Sequence, residues 1–286
     1  MPELPEVETI KNDLTKIAKG EEFSGIEVLV PKMFTWGKFL ENDLVGAKIE
    51  GLRRRGKILI LDLDRGLSLV FHLKLTGQII FQDGVRIAGG HPVPPLNTPV
   101  PNSTTHIIFS FKSGAKLYFN DLRKFGWVKF LETGEVGNLP AMIEYGPEPL
   151  SPEFTLDYLK SVLKKRPRMP IKQVLMDQKL IAGIGNIYAA ESLFLAKIRP
   201  QRKAGEVTEE EAKRLYESIL EALKVAIAHR GSSSATFVGG TGERGMHLDY
   251  AYVYNRESEP CKVCKTPIKK ERLGGRGTYY CPHCQK

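Results

Sequence analysis

Near the start of the chain, Val7, Ile10, Leu14 and Ile17 recur at spacings of three and four, which predicts an amphipathic helix over Glu6 to Ala18 with one face on a core. The period then shortens. Lys48–Arg54, Lys57–Leu63, Leu67–Lys74, His106–Phe111, Ala115–Asn120 and Trp127–Phe130 read as strands, with Asp62-Leu-Asp-Arg-Gly66 and Lys112-Ser-Gly114 as turns. An all-β sandwich or barrel-like core behind one leading helix follows. Between Asp83 and Thr105, a stretch containing His91-Pro-Val-Pro-Pro95 shows neither period and predicts a surface loop covering part of the sandwich.

A turn-rich run from Pro140 to Pro152 marks a boundary, after which the pattern is helical. Phe154–Lys164, Ile171–Asp177, Ile187–Leu195 and Thr208–His229 read as helices, the last opened by a capping-box pattern, Thr208-Glu-Glu-Glu211. Between two of them, Gly183 and Gly185 allow a tight turn whose amides, with the Asn186 side chain, can meet an anion.

Length and composition add a class. The 286 residues, 42% apolar and 26% charged, suit about two domains and exclude a disordered tail protein. No apolar run reaches a membrane span, and the first six residues are acidic where a signal peptide is basic, so a soluble, intracellular chain is expected. The net charge of +9 is uneven: residues 1–155 sum to −1 and residues 156–286 to +10. That asymmetry favours a polyanionic partner such as nucleic acid.

All four cysteines lie in the tail, as Cys261-x-x-Cys264, sixteen residues, then Cys281-x-x-Cys284. Each pair can offer two thiolates to one tetrahedral ion, which fits one structural Zn2+ with no open position for chemistry. Between the pairs, Lys269 to Tyr280 reads as two short strands around a glycine-rich tip. Arg276 there is either a phosphate probe or a solvated side chain.

At the other end, removal of Met1 would expose Pro2 as a secondary amine, much less basic than a lysine and able to form an iminium at a sugar carbon. A tolerated second residue is the ordinary alternative. Glu3 and Glu6 flank it, able to move a proton or simply to favour a helix N-terminus. Lys57 follows Arg53-Arg-Arg-Gly56 and either holds a phosphate or is an edge lysine.

Pro2-Glu3-Leu4-Pro5-Glu6-Val7-Glu8-Thr9, Lys57, Asp121-Leu-Arg-Lys-Phe-Gly126, Gly183-Ile-Gly-Asn-Ile-Tyr188 and the four-cysteine tail occur in order over nearly the entire chain. Together they resemble the bacterial formamidopyrimidine-DNA glycosylase family. Leu4 favours its oxidised-purine branch over the endonuclease VIII branch, which usually has glycine there.

The resemblance implies a multidomain β plus α chain: a catalytic β-sandwich with flanking helices over 1–140 and a linker over 141–152. A helix-two-turn-helix domain with a lesion-covering loop over 153–255 and a zinc hairpin over 256–286 complete it. It implies base-excision repair: a bifunctional glycosylase and abasic-site lyase for oxidised purines, acting as a monomer on double-stranded DNA with oxidised bases or abasic sites. The expected location is cytoplasmic and nucleoid-associated. Pro2 would be the nucleophile, Glu3 the principal acid/base, Glu6 its support and Lys57 a contact near the lesion. Leu75, Arg123 and Phe125 would fill the vacated stack, with Leu75 standing where relatives carry methionine. His106, Arg168, Asn186, Arg256 and Arg276 would contact DNA, Arg168 in place of a common lysine. The loop from Gly231 to Gly245 would close over the everted base. Two other readings stand beside this one, an endonuclease VIII-like glycosylase for oxidised pyrimidines and a non-catalytic damaged-DNA-binding protein.

Overall fold

A computed structural model describes residues 1–90, 99–232 and 246–286, with backbone alone for 85–90. Two compact units emerge, one of Met1–Ile143 with His229–Met246 and one of Glu144–Ala228 with His247–Lys286.

The first unit begins with α1 (Leu4–Ala18), capped by Glu3 and started by Pro5, whose missing amide costs nothing in a first turn. Strands β1 (Phe23–Val28) and β2 (Phe34–Thr35) precede the four-residue α2 (Glu41–Leu44). Then come β3 (Ile49–Arg55), β4 (Ile58–Leu63), β5 (Leu67–His72), β6 (Gly77–Asp83) and β7 (Val85–Gly90). β8 (Thr105–Phe111), β9 (Lys116–Asp121), β10 (Trp127–Glu132) and the short α3 (Pro140–Ile143) complete the unit's N-terminal stretch. They form two five-stranded sheets, ordered β1-β8-β9-β6-β7 and β2-β10-β5-β4-β3. Between them lies one apolar core, where Phe71 meets Phe109 and Phe119 with ring centres 6.0 Å apart. Val7, Ile10 and Leu14 of α1 join that core, as their spacing predicts.

The reading of Asp83 to Thr105 as a loop without strands is corrected: β7 pairs antiparallel with β6, Gln78 opposite Gly90. Val-Arg-Ile-Ala-Gly-Gly has weak strand propensity and gains its order from the neighbouring edge. The proline run 91–95 lies outside the described residues.

The second unit packs α4 (Leu156–Lys165), α5 (Ile171–Met176), α6 (Asn186–Leu195) and α7 (Glu209–Ala228) around Leu159, Val174, Tyr188, Leu193 and Ile219. Thr208 and Glu211 exchange cap bonds at the start of α7: each backbone amide donates to the other's side chain, at 2.9 and 3.2 Å. After α8 (His247–Tyr250) comes the hairpin β11 (Lys269–Leu273) and β12 (Arg276–Tyr280). The tail has its own small core of Phe194, Val253, Ile268 and Tyr279. Segment His229–Met246, placed with the helical domain by sequence, clusters with the first unit. None of the described helices is long and apolar enough to cross a membrane.

Candidate active site and nucleic-acid interface

The N-terminal site is built from buried ionisable groups. Pro2 is buried, and Glu3, Glu6 and Lys57 are exposed by only 3%, 2% and 4%. A charge so far from water persists only where the surroundings solvate it. Glu6 is solvated by backbone: its Oε2 accepts the Glu3 amide at 2.8 Å and its Oε1 the Ser232 amide at 2.7 Å. Glu6 thereby fixes the residue that follows Pro2. The segment that carries Lys57 is tied to the same helix by Arg54, whose guanidinium donates to Glu8 Oε2 and to the Gly56 carbonyl, both at 2.9 Å.

His72, which sequence did not single out, is buried near Lys57. Burial pushes its pKa down to about 3, with the Lys74 and Lys57 charges adding to the effect, so the ring is neutral. Its Nδ1 accepts the Lys74 amide at 3.0 Å. Only tertiary burial marks this residue, since a lone histidine at a strand end carries no sequence signal.

Leu75, Arg123 and Phe125 stand on two tied loops. Asp121, 1% exposed, accepts the amides of Arg123, Phe125 and Gly126 at 3.1, 2.8 and 2.7 Å, and the Thr76 hydroxyl donates to the same carboxylate. Thr76 Oγ1 also accepts the Arg123 amide at 3.1 Å. Leu75 is half-buried, while Phe125 is 56% exposed with the Arg123 guanidinium 5.3 Å over its ring. A large exposed aromatic held on a rigid loop is suited to stacking. His106 lies beneath: a β-bulge between Thr105 and Ile107 turns it inward, and Nε2 donates to the Asp121 carbonyl at 2.7 Å. It supports the loop from a buried position.

In the helical unit, Gly183 adopts φ 94°, and its amide donates to Gln178 Oε1 at 2.9 Å. Gln178 Nε2 returns a bond to the Ile184 carbonyl at 2.7 Å, a knot that composition could not reveal. The turn delivers the N-terminus of α6, whose N-cap is Gly185, and the positive end of a helix favours an anion. Asn186 Nδ2 donates to the Gly277 carbonyl at 3.1 Å, as does the Nζ of buried Lys172, which also bonds Thr278 at 2.8 Å. The hairpin stem is thus anchored to α5 and α6. At its tip, Gly274 has φ 55°, and a Cβ there would stand 2.0 Å from Gln173 Nε2. Arg276 and Arg168 are exposed. Arg256 differs: its guanidinium donates to Glu259, the Tyr252 carbonyl and the Pro260 carbonyl at 2.7–2.9 Å, binding its own turn.

The four cysteine Sγ atoms lie within 4.8 Å of one another, with 4.0 Å between Cys261 and Cys284 and 3.4 Å between Cys264 and Cys281. A tetrahedral zinc with bonds near 2.3 Å spaces its sulfurs by about 3.8 Å, so the cluster can hold a structural Zn2+. All four are free thiols rather than disulfides. Glu191 of α6, 2% exposed, accepts the amides of Tyr252, Val253 and Tyr254 at 2.7–3.1 Å and steadies the chain leading into the cluster. Burial raises its pKa, and those amides oppose the rise.

A β-sandwich with a buried amino-terminal site, a glycine-turn helical unit and a four-thiolate hairpin define a class of DNA-processing protein. Residues 1–128 match the formamidopyrimidine-DNA glycosylase N-terminal domain, 145–238 its H2TH domain, and 258–286 the zinc finger found in FPG and IleRS. The formamidopyrimidine-DNA glycosylase of Pelotomaculum thermopropionicum is 40% identical over 100% of this chain and 99% of its own. A point mutant of Lactococcus lactis FPG, solved with Fapy-dG-containing DNA, is 34% identical with a TM-score of 0.88 and complete coverage of both chains. Wild-type Lactococcus lactis Fpg, solved with DNA containing an oxidised pyrimidine, is 34% identical with a TM-score of 0.87, again with complete coverage. The chain belongs to the formamidopyrimidine-DNA glycosylase family.

Proposed function

We propose that this chain performs its family's chemistry through Pro2. The protein is a bifunctional DNA glycosylase and abasic-site lyase acting on oxidised purines. With Met1 removed, the Pro2 amine attacks C1′ of the damaged nucleotide as the bond to the base breaks and the leaving base takes a proton. The amine then loses its own proton, the C1′–O4′ bond opens, and O4′ takes a proton as the C1′–N double bond forms. The resulting iminium is the electron sink for eliminating both flanking phosphates. Glu3 is assigned the proton transfers, and Lys57 holds a phosphate beside the nucleophile. Leu75, Arg123 and Phe125 occupy the space left by the everted nucleotide. Arg168, Arg276 and the α6 N-terminus grip backbone phosphates, while His106, Asn186 and Arg256 shape the surfaces that do so. Acting on chromosomal DNA, the enzyme is assigned to the cytoplasm and nucleoid.

The observation that carries the reading is the commitment of both Glu6 oxygens to backbone amides, one of them that of Glu3 directly after Pro2. Borohydride trapping on abasic-site DNA tests it. Pro2→Gly is expected to lose at least about a hundredfold in trapping rate while binding DNA within a few-fold of wild type. Protein that retains Met1, confirmed by intact mass, is expected to trap almost none. Normal trapping in both excludes Pro2 as the nucleophile.

A further inference from the structure

Helix α1 carries a second buried carboxylate. Asp13 is 1% exposed and follows Glu6 by seven residues, which places both on one helix face about 10 Å apart. That face receives the run Arg230-Gly231-Ser232. The Arg230 guanidinium donates to Asp13 Oδ2 at 2.8 Å, and the Ser232 amide donates to Glu6 Oε1 at 2.7 Å. Between these bonds the chain is left-handed, with φ 60° at Arg230 and 80° at Gly231, and a Cβ on Gly231 would stand 2.9 Å from Glu6 Oε1. For a non-glycine such as Arg230 this conformation costs about 1 kcal/mol and persists because its surroundings hold it. Ser232 in turn bridges Met246, whose amide donates to the His229 carbonyl at 3.0 Å.

The chain entering and leaving residues 233–245 is therefore closed on itself and fastened to α1 at two points. One of them, Glu6, also holds the Glu3 amide beside Pro2. A buried aspartate is an expensive way to attach a turn, because an apolar contact of the same size would hold the helix without the cost of desolvating a charge. What the ion pair adds is direction: it sets the rotation of the Arg230 to Ser232 turn, and hence where the Ser232 amide meets Glu6.

We infer that Asp13 is a positioning residue for the Pro2 reaction, acting through Arg230, Ser232 and Glu6. This rests on Pro2 being the nucleophile. The test measures single-turnover borohydride trapping on abasic-site DNA, DNA affinity and thermal midpoint for wild type, Asp13→Asn, Asp13→Glu, Arg230→Met and the Asp13→Asn/Arg230→Met double variant. Trapping by Asp13→Asn is expected to slow about tenfold, from displacement of the amine, with affinity within twofold of wild type. Asp13→Glu is expected to recover most of the rate, and the double variant to be no slower than the single. If Asp13→Asn does not fold, Arg230→Met carries the same expectation without altering the helix.

Peptide mass mapping of the trapped adduct separates the two levels. An adduct on another residue overturns the Pro2 reading and this inference with it. An adduct on Pro2 formed at the wild-type rate by both Asp13→Asn and Arg230→Met overturns the coupling alone. So does a slowing that Asp13→Glu fails to relieve.

Discussion

The two units treat charge in opposite ways. The β unit hides the groups proposed for its chemistry, with Glu3, Glu6 and Lys57 each under 5% exposed, whereas the helical unit leaves Arg168 and Arg276 in water. Buried groups cost stability and give fixed geometry and altered proton affinity, which bond-breaking needs. Exposed cations cost little and attract phosphate from a distance, which binding needs. The units nevertheless share one device, a buried carboxylate that gathers backbone amides: Asp121 shapes the loop under Phe125, and Glu191 shapes the chain entering the zinc hairpin.

Stripping the metal tests this division most severely. Chelation or Cys281→Ser is expected to weaken DNA binding by at least about tenfold, because hairpin folding and metal binding are coupled. A fluorescence titration with lesion-containing duplex measures it; unchanged affinity in demonstrably zinc-free protein would place the grip elsewhere. The core of the β unit is expected to remain folded, as its near-ultraviolet dichroism would report.

A second test addresses the cost of hiding charge. His72 titrates near 6.5 in an unfolded chain and near 3 in the fold, so its contribution to stability is complete above pH 6.5 and is lost as pH falls from there towards 3. Across that window the loss approaches about 1.4 kcal/mol per pH unit. His72→Gln is expected to flatten the acid limb by that slope in urea titrations between pH 7 and 4; an identical limb would show that the ring is not the buried neutral group described here.

The smallest effect belongs to the exposed side. Arg276→Ala is expected to weaken binding threefold to tenfold for any duplex and to reduce the salt slope by about one. Anisotropy titrations at several salt concentrations measure both, and a lesion-dependent loss with an unchanged slope would mean that Arg276 reads the damage and leaves the phosphates to other groups.

Much of this architecture is legible from periodicity and spacing. The stripe of α1, most strands of the sandwich, the four long helices and the thiolate set follow from local pattern, since each depends on residues close together in the chain. What escaped depends on distant partners. β7 is ordered by the edge of β6 rather than by its own Gly-rich sequence. His72, Lys172 and Gln178 acquire their tasks from burial and from carbonyls or hydroxyls that only the fold brings near. The resemblance implies DNA contacts for His106 and Arg256, and their partners within the chain are likewise set by the fold. The fold turns His106 inward through a bulge and engages the Arg256 guanidinium with nearby carbonyls and Glu259.

The excursion of His229–Met246 bears on how this protein can be divided. A gene fragment ending at residue 143 encodes the ten strands described for the sandwich yet omits the Ser232 amide that bonds Glu6 Oε1 and the guanidinium that pairs with Asp13. Such a fragment would have to leave two buried acidic groups of α1 without these partners. The first unit therefore completes these two contacts only after the ribosome has passed α7, late in synthesis, although the helix that receives them is made first.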